Sequence, residues 1–126
     1  MTEESKQGCS CGTGPKLVFA CSGAADVGAL SDQAARKLTR DGAGRMYCLA
    51  GIGGRVGDIL VNTQAASKIL AIDGCPKDCA LNTLKEAGFE GMAHLRLTDM
   101  GFEKGASPAD GENIAKVADR AKTLLA

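Results

Sequence analysis

Leu17-Val18-Phe19-Ala20-Cys21 sets an unbroken apolar run directly before a cysteine, and Ile69-Leu70-Ala71-Ile72-Asp73-Gly74-Cys75 repeats the arrangement further on. A short continuous apolar run reads as a strand buried on both faces, the habit of parallel sheets. Around these two runs the chain alternates in kind. After the first, Val27, Leu30, Ala34 and Leu38 recur at helical spacing, and Asp41-Gly42 ends that helix. A second strand is expected over Met46-Tyr47-Cys48-Leu49-Ala50, then a glycine-rich turn, then a helix with Val56, Ile59, Leu60 and Thr63 on one face. The helix after the third strand begins near Pro76, carries Leu81 and Leu84, and stops at Gly88. His94-Leu95-Arg96-Leu97 alternates, as an edge strand does. Ser107-Pro108 offers an N-cap and first-turn pair for a last helix with Ile114, Val117, Ala118, Ala121 and Leu125 on one face. Four strand-then-helix units predict a single three-layer α/β domain of Rossmann-like type. Its sheet should be four-stranded, mostly parallel and ordered 2-1-3-4, with helices on both faces and a switch point between strands 1 and 3.

A length of 126 residues suits one domain and leaves no room for two cores. The 15 basic and 15 acidic side chains cancel, which argues against a nucleic-acid or membrane-surface binder, since either needs a basic face. The rings are Phe19, Tyr47, Phe89 and Phe102, with no Trp, so a base-stacking platform is not expected. Residues 1–15 hold no large apolar side chain after Met1 and read as a flexible N-terminal arm carrying Cys9 and Cys11; the domain is expected over 16–126. The polar start lacks a signal-peptide core, and no apolar run approaches the roughly 18 residues that span a bilayer. A cytoplasmic location is therefore expected, where thiols stay reduced and clustered cysteines serve metals or redox chemistry.

The six cysteines dominate the functional reading. Sites in open parallel sheets gather beyond the carboxyl ends of the strands. Cys21 follows the first predicted strand, Cys48 lies late in the second, Cys75 closely follows the third, and Cys79 comes four residues later. In this architecture all four can converge at one sheet edge, and a reduced four-cysteine set is a standard tetrahedral zinc site. With Pro76 at the first helical position, Cys75 is the expected N-cap and Cys79 sits one turn on, so both sulfurs can serve one ion. Lys77 and Arg55 are the nearest basic residues to offset the thiolate charge. The competing reading is that Cys48, within an apolar strand, simply packs in the core. The spacing Cys75-x3-Cys79 is not the thioredoxin-like C-x-x-C.

Phe19-Ala20-Cys21-Ser22-Gly23, Cys48-Leu49-Ala50-Gly51-Ile52-Gly53 and Ile72-Asp73-Gly74-Cys75-Pro76-Lys77-Asp78-Cys79 together resemble the DGC-domain family, named for the triplet seen here as Asp73-Gly74-Cys75. The resemblance covers about Leu17 to Gly105. It implies zinc binding through four characteristic cysteines, which map to Cys21, Cys48, Cys75 and Cys79, and it supplies no reaction.

Other constellations compete. Gly51-Ile52-Gly53-Gly54-Arg55-Val56-Gly57 lies between a predicted strand and helix, with Asp73 about twenty residues on, close to a dinucleotide fingerprint. The spacing is G-x-G-x-x-x-G, however, and a second nucleotide-binding half has no room. A tight turn is the plainer reading; its N–H groups, near Gly53, Gly54 and Arg55, suit a small anion. Cys9-Ser10-Cys11 suits soft-metal transfer, a redox pair or an inert tail. His94, the sole histidine, reads as a surface residue. Asp99 reads as a loop residue, with an acceptor behind the cysteines or a general base as the alternatives, and no base is in evidence for Ser22 as a nucleophile. Three classes remain: a zinc-binding protein with a structural or sensory site, a thiol-based redox or sulfur-transfer enzyme using the same cysteines, and a small nucleotide-binding module.

Overall fold

A computed structural model describes residues 14–126; Cys9, Cys11 and most of the expected arm lie outside the described residues. The elements run β1 (Lys16–Ala20), α1 (Asp26–Arg40), β2 (Arg45–Met46), α2 (Leu49–Gly53), α3 (Gly57–Gln64), β3 (Lys68–Asp73), α4 (Cys79–Glu86), β4 (Ala93–Arg96), a 3-10 turn (Leu97–Met100) and α5 (Gly111–Leu125). The sheet is ordered β2-β1-β3-β4 and every pairing in it is parallel. The expected order and switch point are therefore present.

The period of two along each strand divides the core between the two faces of the sheet. Val18, Ala20, Leu70, Ile72 and Leu95 turn towards α1 and α5, where they pack on Leu30, Leu38, Val117 and Leu125. Leu17, Phe19 and Ala71 turn the other way, onto Ile52, Ala80 and Leu84 of α2 and α4. The apolar stripes expected on α1 and α5 are the faces that α1 and α5 bury.

Five local expectations are corrected. The second strand ends at Met46, because Tyr47 adds one more N–H bond to Val18 O and Cys48 then caps a short helix. The glycine-rich turn is itself helical: Ile52 is fully buried, and Gly54 N–H bonds Ala50 O at 2.8 Å. Val56 is the extended N-cap of α3, so it leaves the helical stripe and is 44% exposed. The Ser107 hydroxyl accepts Glu103 N–H at 2.7 Å, so the N-cap of α5 falls to Asp110, whose carboxylate takes Asn113 N–H at 2.9 Å. The start of α4 is the fifth correction and bears directly on the cysteines.

Candidate functional site

All four described cysteines stand at the carboxyl edge of the sheet. Cys21 follows β1, Cys48 caps α2 just after β2, Cys75 lies two residues past β3, and Cys79 opens α4. All are free thiols; Cys21 and Cys75 are half-buried, while Cys48 and Cys79 are exposed. None is fully buried, although free cysteine is among the residue types most often buried; Cys21 alone packs against the Phe19 and Ile52 core. Two sulfurs already accept backbone N–H bonds. Gly51 N–H donates to Cys48 Sγ at 3.3 Å, and Gly74 N–H donates to Cys21 Sγ at 3.4 Å, which brings the β1 end to the loop carrying Cys75. Cys21 Sγ also lies 3.3 Å from Ser31 Oγ. Amide N–H groups aimed at sulfur offset thiolate charge, so this donor set fits a soft cation.

The four sulfurs fall into two limbs. Cys21 and Cys48 line one cleft of about 770 Å³, shared with Ser22, Asp32, Arg36 and Thr83. Here Ser22 Oγ donates to Asp32 at 2.8 Å and Arg36 Nε donates to it at 2.7 Å, which holds the Asp32 carboxyl below its ordinary range. Cys75 and Cys79 form the other limb, on either side of a turn in which Asp78 N–H bonds Cys75 O at 3.2 Å.

That turn corrects the expected helix start. Pro76 is not the first helical residue and Cys75 is not the N-cap; α4 begins at Cys79 behind Asp78, which is left-handed at φ 54°. The cause is Asp73. Its buried carboxylate takes Ala80 N–H at 2.7 Å and Leu81 N–H at 3.1 Å, fixing the first turn of α4 there. Gly74 passes so close to α1 that a Cβ on it would lie 2.8 Å from the Val27 carbonyl carbon and oxygen. Left-handed non-glycine backbone is uncommon; among the described residues it occurs at Ser22, Arg55 and Asp78, two of them next to a cysteine.

His94, expected at the surface, instead sits with its Nε2 2.8 Å from Asp73 Oδ2 and 3.7 Å from Asp78 Oδ1. Asp73, Asp78 and His94 are the one group of three or more His, Cys, Asp or Glu among the described residues whose ligand atoms all lie within 4.8 Å of one another. The four thiols do not form such a group. Donors already occupy the acidic cluster, however: both Asp73 oxygens hold helix amides, and Asp78 holds Arg96 through Nε at 2.8 Å and a second nitrogen at 2.5 Å. Arg96 keeps the Asp78 carboxyl below its ordinary range, and Asp78 in turn raises the guanidinium. Asp99 joins from the 3-10 turn, accepting Arg96 Nη1 at 3.2 Å. Sequence offered one signal for this network: His94 and Arg96 are two apart on a strand, so they share a face.

The segment over Gly53, Gly54 and Arg55 is built unlike a phosphate loop. Arg55 Nη1 donates to Ile52 O and Gly53 O, and Nη2 donates to Glu86 O at 3.1 Å, so the guanidinium ties the end of α2 to α4. The N–H groups of Gly54, Arg55 and Val56 are spent on Ala50, Ile52 and Gly51 carbonyls.

The DGC domain matches residues 17–121, a span that includes all four cysteines of the sheet edge. The chain belongs to the DGC domain family. It is similar to the anaerobic and virulence modulator AnvM of Pseudomonas aeruginosa, at 36% identity over 88 residues, covering 70% of this chain and 67% of that protein. No solved structure matches the chain. No helix among the described residues is long and apolar enough to cross a membrane.

Proposed function

We propose that this DGC-domain protein binds a metal ion, Zn²⁺, through Cys21, Cys48, Cys75 and Cys79, in a structural or sensory role within a regulatory protein. The observation that carries this reading is the placement of four free, incompletely buried thiols on the loops and helix starts that follow three neighbouring strands. The similarity to a protein named a modulator supports regulation over turnover. A bound Zn²⁺ would join the ends of β1, β2 and β3 and neutralise the thiolates, while Gly51 and Gly74 hold two of the sulfurs in place through their N–H groups. Elemental measurement on the full chain, purified under reducing conditions, is expected to find about one zinc per chain, and Cys75→Ser should lose most of it. Full occupancy in that variant refutes the ligand set. Visible absorbance from the purified chain would instead mark an iron–sulfur cluster. A chain lacking residues 1–13 should keep its zinc; losing it would make Cys9 or Cys11 a ligand.

A second reading, a thiol-based redox or sulfur-transfer enzyme, draws on the cleft that admits small molecules to Cys21 and Cys48. Alkylation separates the two. Sulfurs sharing their charge with Zn²⁺ are poor nucleophiles, so the zinc-loaded chain should label slowly at all four positions. After chelation, the exposed Cys48 and Cys79 should label before the half-buried Cys21 and Cys75. Rapid labelling of one of these cysteines with zinc still bound favours the enzyme.

A further inference from the structure

Cys75 rides on the short segment between β3 and α4 and Cys79 closes it, and the edge strand grips that segment at both ends. The register places Ala71 beside His94 and Asp73 beside Arg96. Leu95 turns into the α1–α5 core, so His94 and Arg96 turn to the opposite face, over the start of α4. There His94 holds Asp73, the residue before Gly74, and Arg96 holds Asp78, the residue before Cys79. His94 also lies 3.7 Å from Asp78, so one imidazole spans the two anchors that bracket Cys75.

The attachment of β4 does not depend on these side chains. The strand pairs with β3 along Ala93–Arg96, and Leu95 and Leu97 are buried beneath it. Both polar contacts act instead on the segment. Asp73 sets where α4 begins, and hence where Cys79 stands. Asp78 is held in a left-handed conformation that a residue with a side chain adopts reluctantly. Freed from Arg96, it can relax towards an ordinary conformation, which rotates the peptide leading into Cys79. Two further bonds tie the segment to α4 itself: Asn82 Nδ2 donates to Lys77 O, and Thr83 Oγ1 donates to Cys79 O within the helix.

We propose that His94 and Arg96 are positioning residues for the Cys75–Cys79 limb: through Asp73 and Asp78, the edge strand sets where those two sulfurs stand and therefore how tightly the site holds its metal. This rests on the four-cysteine reading above for its metal consequence, and on geometry alone for its effect on the limb. The acidic cluster is on this account a clamp, with its oxygens already committed, and not a second metal site.

The test uses the full chain with His94→Ala, Arg96→Ala and the pair combined, and with His94→Gln as the conservative replacement. Zinc affinity is read by chelator competition, geometry by the thiolate-to-metal absorbance of the Co²⁺ form, and limb position by mass-mapped alkylation of the metal-free chain. Urea midpoints of the metal-free variants report the fold. The combined variant should stay folded, lose about tenfold in zinc affinity and change its Co²⁺ absorbance. Its Cys75 and Cys79 should alkylate several-fold faster while Cys21 and Cys48 keep their rates. His94→Gln, which restores a donor towards Asp73, should recover much of the loss relative to His94→Ala. If the combined variant fails to fold, Arg96→Ala alone carries the same test, because it leaves Asp73 with its helix amides and His94. Unchanged affinity and labelling overturn the proposal, and so does a uniform rise at all four cysteines that tracks lost stability. Should the wild-type chain bind no metal through these cysteines, the four-cysteine reading fails, while limb-selective labelling of the metal-free variants still decides for or against the clamp.

Discussion

Gly74 shows how one residue without a side chain shapes the edge of the sheet. Its neighbour Asp73 is 1% exposed and anchors α4, while Gly74 lets the N-terminal part of α1 approach the turn. A methyl group there meets Val27 backbone, which cannot swing aside as a flexible side chain can, so Gly74→Ala is expected to cost about 1–3 kcal/mol. Gly53→Ala is the matched control. It lies in α2, and its added Cβ would meet only Thr83 Cγ2 at an ordinary 3.8 Å, so alanine's better helix propensity makes it neutral or mildly stabilising. Urea denaturation of the metal-free chains compares them. Equal midpoints would show that α1 can withdraw from the turn at no cost.

At the scale of elements, what sequence revealed and what it hid have a common cause. The long amphipathic helices and the apolar strands were legible because burial imposes a period on every turn or pleat, as Val27, Leu30, Ala34 and Leu38 show. Helix starts were less so, because they depend on which distant polar group reaches the free amides first. Ser107-Pro108 has the composition of a cap, yet the Ser107 hydroxyl bonds Glu103 N–H and its own N–H bonds Asp26. Cys75-Pro76 has the composition of a helix start, yet a carboxylate from β3 places that start at Cys79. The placement of the four cysteines at one edge was legible for the same reason as the sheet order. The clamp was not: its partners are far apart in sequence, and only the register of β3 on β4 sets His94 and Arg96 over the turn.

At the scale of the whole molecule, several carboxylates join elements that the sheet alone does not join. Asp26, opening α1, accepts N–H bonds from Gly105 and Ser107 in the segment before α5. Asp41 at the end of α1 meets Lys37 and Lys122, the latter on α5, and Asp78 meets Arg96 across α4 and β4. The Asp26, Asp41 and Asp78 carboxyls all titrate below their ordinary value of 3.8, Asp26 chiefly through the Gly105 amide, Asp41 through Lys122 and Asp78 through Arg96. A carboxyl with a lowered pKa in the folded chain stabilises it wherever the group is ionised in both states, and that contribution fades as pH falls through 3.8 and then through the folded value. Stability of the metal-free chain should therefore be level from pH 7 to about pH 5 in this respect and decline below about pH 4. Keeping a chelator present throughout removes the separate effect of protonating thiolates on a bound ion. Asp26→Asn removes one titrating link without removing its bulk. It should lower the urea midpoint at pH 7, where the charged carboxylate serves two amides of the distant segment, and it should lessen the decline on acidification. A variant whose midpoint falls with pH as steeply as the wild type's would show that the Asp26 contacts contribute nothing to holding α1 against the approach to α5.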